Sequence, residues 1–462
     1  MDTSLPITPA AASNERLPFR TKLIFGLGEW GNSSAGTIFA FFFSFFLTDI
    51  ARLDPLYAAP VLLIGGLWDA INDPLVGVIS DRTRTRWGRR RPFFLFTAIP
   101  YAVFFIMLWW VPPWNGQLAK AAYYAMAYIF ADTAITFMGV PYASLTPELT
   151  QDYDERTRLN GYRMVVSMLG GLVGAVSVPL IVRQFIQPKT GYLVSAIIFG
   201  SLAALPCFLL FFGIRERFFK ENVAPSQQPG LLKVFITTLR NRPFRYAAGI
   251  YLTAWVAINL IEALFQYFIT YWMRMPDQLE IMLALVQIAT LIFIPFMVFL
   301  SNRLGKQKAY LVSVSWWVLV MISLSFLPPK AKVVAYFLAT AAGVGVAAAH
   351  VVPWSIFPDV IEVDELATGE RREGVYYGLL IFLQKGGTAM ALAFMQFVLH
   401  LTGYTPGVEQ SQPVLWAIRF LMGPFAALLL LLSMWSAWRY PIDRLKHAEL
   451  RATLAKRKAG GG

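Results

Sequence analysis

The chain has 462 residues, 57% of them hydrophobic and only 15% charged, with a mean hydropathy of +0.54 and a net charge of +13. Soluble domains carry roughly 25% charged residues, so a water-exposed surface of ordinary polarity is excluded. One cysteine, Cys207, excludes a disulfide scaffold, and 37 Phe, 19 Tyr and 14 Trp exclude disorder over most of the length. What remains is an integral membrane protein.

The polar segment 1–21 lacks the basic start and short apolar core of a signal peptide, so no cleavage is expected. Apolar runs of the length that crosses a bilayer then predict helical spans over 22–48, 56–80, 92–111, 118–145, 161–184 and 190–213. The longest connection, 214–243, contains Pro225-Ser226-Gln227-Gln228-Pro229-Gly230 and reads as a cytoplasmic linker. Spans resume over 244–273, 278–301, 308–327, 332–357, 375–400 and 412–439, before a basic tail over 440–462. The expected fold is therefore all-α, with twelve transmembrane helices in two six-helix halves, 22–213 and 244–439.

Of the 40 Lys and Arg, thirty fall in or beside the segments on one side and seven on the other. Basic loops stay in the cytoplasm, so both termini are expected there. These residues punctuate apolar runs instead of forming one face, so no nucleic-acid partner is expected. The chain is expected to act as a monomer in the cell membrane, of a bacterial inner-membrane kind.

Motifs recur six helices apart. Span four ends in Val140-Pro141-Tyr142-Ala143-Ser144 and leads to Glu148, Asp154-Glu155-Arg156 and Gly161-Tyr162. Span ten ends in Val352-Pro353-Trp354-Ser355 and leads to Asp359, Asp364-Glu365 and Gly374-Val375-Tyr376. The loop after span two holds Asp81-Arg82 and Gly88-Arg89-Arg90, and the loop after span eight holds Asn302-Arg303-Leu304-Gly305-Lys306. This duplication resembles the major facilitator superfamily, in which the substrate binds between the halves near the midplane. Asp81, Arg82, Arg89, Arg90 and Arg303 read either as topology anchors or as a cytoplasmic gate that pairs with helix ends.

An ionisable side chain inside a span costs about 2.5–3.5 kcal/mol on insertion scales, so each one needs a reason. Asp69, Asn72 and Asp73 are spaced i, i+3, i+4 and share one face of span two. Carboxylates so placed repel each other unless a cation or proton lies between them, and hard oxygens without His or Cys suit an alkali cation. Asp132 and Thr136 share a face of span four, Arg163 opens span five, and Lys385 in span eleven needs a carboxylate or a polar substrate group. Glu29 and Glu262 face a central cavity or bond a neighbouring helix. His350, ahead of a proline-broken stretch of span ten, is a proton or substrate ligand or a structural histidine. Arg419 reads as a packing residue. Nucleophile–base pairs and phosphate loops are missing, so an enzyme is not expected.

Trp68-Asp69-Ala70-Ile71-Asn72-Asp73-Pro74 resembles the cation-site helix of the glycoside–pentoside–hexuronide:cation symporters, the relatives of melibiose permease. Arg86-Trp87-Gly88-Arg89, Pro141-Tyr142-Ala143-Ser144-Leu145, Asp154-Glu155-Arg156-Thr157 and Arg371-Arg372-Glu373-Gly374 extend the resemblance over nearly all of the chain. The resemblance implies a coupling cation, Na+ with Li+ or H+ as alternatives, at Asp69, Asn72, Asp73 and Thr136, with Arg163 and Lys385 at the family's basic positions. No other cofactor is implied. The family's sugar-holding aspartates fall on Ser33 and Gly139, and its tryptophan after the span-four proline falls on Ala143. Two readings of the cargo follow: a small polar solute, glycoside- or uronide-like, or an amphipathic solute of the kind carried by sodium-dependent lysolipid transporters, which resemble the same family. A receptor or scaffold on the same fold is the remote third.

A cysteine introduced between Arg82 and Arg91 should react with an impermeant thiol reagent only from the cytoplasmic side. Labelling of that loop in intact cells would contradict the orientation read from the basic residues.

Overall fold

The computed structural model describes residues 16–150, 152–216, 237–369 and 372–460. The linker motif Pro225–Gly230, the segment 1–15 and Arg371 lie outside the described residues. The long helices in chain order are α1 (19–50), α2 (Pro55–Arg82), α3 (Arg91–Leu108), α4 (Gln117–Ala143), α5 (Tyr153–Val182) and α6 (Pro188–Gly213). They continue with α7 (Arg242–Trp272), α8 (Leu279–Leu304), α9 (Lys306–Ser325), α10 (Lys332–Thr368), α11 (Glu373–Leu401), α12 (Gln412–Arg439) and a terminal α13 (Arg444–Gly460). Ten of them are long and apolar enough to cross a membrane. The protein is an all-α, multi-pass membrane protein.

Most helix ends fall within three residues of the expected span ends, but two do not. α5 starts at Tyr153, capped by the Asp152 side chain on the Glu155 N–H at 2.8 Å. α10 continues to Thr368, so Pro353 and Pro358 do not break it. A proline removes one backbone donor, and neighbouring helices in a membrane bundle accommodate the loss. The expectation of a proline-broken stretch after His350 is corrected accordingly.

Packing repeats with an offset of six helices. α1 packs on α5 as α7 packs on α11, α2 on α4 as α8 on α10, and α3 on α6 as α9 on α12. The contacts between the first six helices and the last six obey the same rule: α2 meets α11, α8 meets α5, and α1 meets α7.

The outer ends of α1 and α7 are near copies. Phe46-Leu47-Thr48-Asp49-Ile50-Ala51-Arg52 corresponds to Phe268-Ile269-Thr270-Tyr271-Trp272-Met273-Arg274. Each closes in a π-turn, with Ala51 N–H donating to the Phe46 carbonyl at 2.8 Å and Met273 N–H to that of Phe268 at 2.9 Å. Each then reverses at an arginine of left-handed backbone, φ 58° at Arg52 and 53° at Arg274. Equivalent positions of the two copies meet, because Tyr271 Oη donates to Asp49. Tyr404 Oη donates to the other Asp49 oxygen at 2.5 Å, and Thr48 bonds Tyr267 at 2.7 Å. Gln396 adds a bond to Ser44 Oγ at 2.7 Å, and Arg183 pairs with Glu280. All of these join the first six helices to the last six.

At the opposite, arginine-rich end, four ion pairs among the described residues each stay within one set. Lys22 meets Glu155 at 2.8 Å, Arg90 meets Glu148 at 3.1 Å, Lys306 meets Asp359 at 2.7 Å and Arg372 meets Asp364 at 2.6 Å. Gly161 on α5 and Gly374 and Gly378 on α11 border open space there. The bundle is clasped at the end away from the arginine-rich loops, and these glycines border open space at the arginine-rich end, the inner one under the expected orientation.

The clasp depends on Asp49 as the common acceptor. A hydroxyl bond to a carboxylate contributes about 1.5–3 kcal/mol, so its loss shifts a two-state equilibrium strongly. Asp49→Ala should therefore favour the outward-open form. A cysteine at Gly36, which lines the central cavity, should then react with an external impermeant reagent about tenfold or more faster, whereas unchanged labelling would remove Asp49 from the gate.

Candidate functional site

α2 approaches its neighbours unusually closely because it carries Gly65-Gly66. A Cβ at Gly66 would stand 2.6 Å from that of Ala389 on α11, and one at Gly65 would penetrate the Tyr128 ring on α4. Small residues allow such close helix contacts in membranes. One turn further in, the same face presents Asp69, Asn72 and Asp73 to α4 and α11.

Lys385 Nζ lies between both carboxylates, donating to Asp69 and, at 2.6 Å, to Asp73 Oδ2. Asn72 Nδ2 donates to Asp132 Oδ2 at 3.2 Å, and Thr136 Oγ1 to Asp73 Oδ1 at 3.4 Å. Trp68 Nε1 donates to Thr133 Oγ1 at 2.9 Å, which holds α2 against α4. Six candidates from the sequence therefore form one cluster: Asp69, Asn72, Asp73, Asp132, Thr136 and Lys385. The ammonium stands where a monovalent cation among the same oxygens would stand.

The other candidates are dispersed. Arg163 pairs with Glu29 at 2.5 Å and lies over the Tyr142 ring. His350 Nδ1 bonds the Val346 carbonyl at 2.8 Å, with its ring against Trp255. Glu262 lines a separate cavity. Ser33 bonds the Glu29 carbonyl at 3.0 Å, and Asn32 occupies the space beside Gly139.

The loop candidates also divide. Arg90 is buried and bonds Asp81 at 2.6 Å, Ser80 at 2.6 Å and Glu148 at 3.1 Å, while Arg89 is 3.6 Å from Asp81. Burial pushes the Glu148 carboxyl up, against the pull of Arg90. Glu216, at the end of α6, accepts from the N–H groups of Arg89, Arg90 and Arg91 at 2.7–3.1 Å and so caps α3. Arg82 is exposed, and Arg303 lies over the Phe299 ring instead of a carboxylate. The counterpart of Arg90 in the second copy is Lys306, which holds Asp359 as Arg90 holds Glu148. In the second copy the ion pair to a carboxylate is made by Lys306, a residue outside the candidates read from the sequence.

The central cavity, about 340 Å³, opens beside the cluster. Asp69, Asp132 and Lys385 lie at one level of its wall. Leu62 and Leu392 lie seven residues outward along α2 and α11, about 10 Å away, together with Phe43, Phe105 and Leu108. Thr388, also on this wall, has a buried hydroxyl without a hydrogen-bond partner among the described residues.

A multi-span bundle with a midplane charge cluster, clasped at one end, defines a secondary-active transporter of the major facilitator type that carries a small solute. The chain belongs to the family described as MFS/sugar transport protein, which matches residues 24–444. It is 32% identical to an uncharacterized symporter of Synechocystis sp., covering 96% of this chain and 98% of that one. It is 28% identical to the sodium-dependent lysophosphatidylcholine symporter 1 of Gallus gallus, over 96% and 90% of the two chains. A sphingosine-1-phosphate transporter of Xenopus tropicalis is 27% identical over 97% and 93%. The crystal structure of a nucleoside transporter shares the fold, with a TM-score of 0.65 at 14% identity over 90% and 98%. The protein is thus a cell-membrane transporter and not an enzyme.

Breaking a buried charge pair by removing one partner costs about 3–5 kcal/mol. Lys385→Met leaves two carboxylates facing each other and should lower the melting temperature of the purified protein in sodium-free buffer. Sodium, but not an equal concentration of choline, should restore part of that loss. A variant as stable as the parent without sodium would show that Asp69 and Asp73 do not depend on Lys385.

Proposed function

We propose that the chain is a sodium-coupled symporter of an amphipathic, lysolipid-like solute, working by alternating access between two six-helix halves with both termini in the cytoplasm. The observation that carries this reading is the one-sided polarity of the central cavity: charge and amide groups at the level of Asp69 and Lys385, hydrocarbon two turns outward. A charged head and an apolar body fit such a wall together. A sugar needs polar partners around its whole ring, and Ser33 and Gly139 supply little at the positions where melibiose-permease-like proteins carry acids. The relatives named for lysophosphatidylcholine and sphingosine-1-phosphate support the same choice.

Sodium would be held by Asp69, Asn72, Asp73 and Thr136, as the melibiose-permease resemblance implies. Its arrival displaces the Lys385 ammonium, which is then free to meet an anionic group of the solute. Cation and solute thereby stabilise the same arrangement of α2, α4 and α11, and reciprocity requires each to raise the affinity for the other by the same factor. Asp132, beside Asn72, and the Glu29–Arg163 pair complete the polar lining. The Arg90–Glu148 and Lys306–Asp359 pairs hold the inner helix ends of each half together while the halves part.

In proteoliposomes, uptake of lysophosphatidylcholine should require an inward sodium gradient, and melibiose should neither enter nor compete. Asp73→Asn should remove the sodium requirement along with most of the uptake, while Thr136→Ala should only weaken the sodium dependence. Sodium-driven entry of a glycoside instead would restore the sugar reading.

A further inference from the structure

Glu262 has no hydrogen-bond or ion-pair partner among the described residues, and it faces a second cavity of about 60 Å³. The cavity is lined by α1, α7, α8, α9, α10 and α12, and besides Glu262 its polar groups are the Gln287 amide and the indole N–H of Trp317, which is buried without a hydrogen-bond partner among the described residues. Phe41, Phe265 and Met321 are typical of the remainder. No other titratable group lines it. The nearest ones on the enclosing and neighbouring helices are engaged elsewhere. Asp49 on α1 takes Tyr271 and Tyr404, and Glu280 on α8 takes Arg183. His350 on α10 bonds Val346, Lys385 on α11 holds Asp69 and Asp73, and Arg419 on α12 bonds the Ser325 carbonyl. The Tyr310 hydroxyl on α9 bonds Ser433.

An ionised carboxylate on such a wall has at most a few waters and no counter-charge among the described residues, an unfavourable state inside the membrane. A cation or a proton relieves it. Three side-chain oxygens, two of Glu262 and one of Gln287, do not make the oxygen shell that an alkali cation takes, and the helix carbonyls are already bonded. A void of this size holds a few waters and no organic cation of ordinary size. The proton remains.

We propose that Glu262 is a proton-carrying site, separate from the oxygen cluster on α2, and that the transport cycle moves a proton together with the solute. A water-borne proton from the outer side bonds to one Glu262 carboxylate oxygen and leaves neutral water behind. After the switch it passes to water on the inner side, and the carboxylate is restored. Glu262 lies five and nine residues from Tyr267 and Tyr271, so the helix whose charge changes is the helix that closes the outer clasp. The inference rests on the transporter class and not on the lysolipid reading.

The test needs no substrate. Purified protein in lipid nanodiscs should show, across neutral pH, an infrared carboxylic-acid C=O band of which one component disappears in Glu262→Gln. That variant should keep the sodium-induced thermal shift, which shows that it is folded; should it not fold, Glu262→Asp should keep the band and alter its titration. In a Cys207→Ala background, the labelling rate of a cysteine at Gly378, which borders open space, divided at each pH by that of a cysteine at exposed Arg82 to remove the thiol's own ionisation, should vary with pH by up to about tenfold per unit, the limit for one proton. Glu262→Gln should flatten that dependence. An unchanged infrared band in Glu262→Gln, or undiminished pH dependence of labelling, would overturn the proposal.

Discussion

One ammonium held between two carboxylates inside the membrane joins the first six helices to the last six. Lys385 on α11 meets Asp69 and Asp73 on α2, and nearly everything near the midplane is arranged to allow it. Gly65-Gly66 lets α2 come close enough to both α4 and α11. Across the α2–α4 contact, Asn72 on α2 donates to Asp132 and Thr136 on α4 donates to Asp73, which ties the two helices together. In hydrocarbon none of these charges is tolerated alone, so a cation that enters the cluster must exchange with the lysine. That exchange converts a binding event into a change in how the two sets of helices are held.

The outer clasp obeys the same constraint with different chemistry. Asp49 makes no ion pair among the described residues; hydroxyls of Tyr271, Tyr404 and Thr48 donate to it instead. Hydroxyl bonds separate at less electrostatic cost than a buried ion pair, which suits a contact that must open once in every cycle. Duplication explains its placement. Two copies of one helix end, related by the repeat, bring positions 49 and 271 face to face, and their divergence to Asp and Tyr makes a donor and an acceptor out of equivalent sites.

How much of this the sequence discloses depends on the range of the interaction. Helical runs are legible because each must be apolar over its own length, whatever its neighbours do. The i, i+3, i+4 spacing of Asp69, Asn72 and Asp73 is legible for the same local reason, and Lys385 follows from charge balance. Asp49 was not legible: it lies at the end of an apolar run, where an acid resembles a loop residue, and its partners are 222 and 355 residues away. The repeated Phe-Leu-Thr and Phe-Ile-Thr ends of α1 and α7 were the signal that would have found it. The pairing of Lys306 was not legible because its acid, Asp359, lies 53 residues away at the far end of α10, although Arg90 and Lys306 both stand at the start of a helix. α10 ran past its expected end because a proline in a membrane helix is a weaker stop than in water.

The two cavities divide the work of the bundle by what their walls can satisfy. The central one mixes an ion cluster with hydrocarbon, and under the proposed mechanism its wall changes state when a cation replaces Lys385. The smaller one offers a single acid on a largely apolar wall, which is the basis of the proton site proposed at Glu262. Both bear on α7, which lines each cavity, packs against α1 and ends in the clasp. A helix in that position senses the charge state of both sites at once. Moving it while either site holds an uncompensated charge costs several kcal/mol, and a bundle that moves only with its charges compensated is one whose transport is coupled.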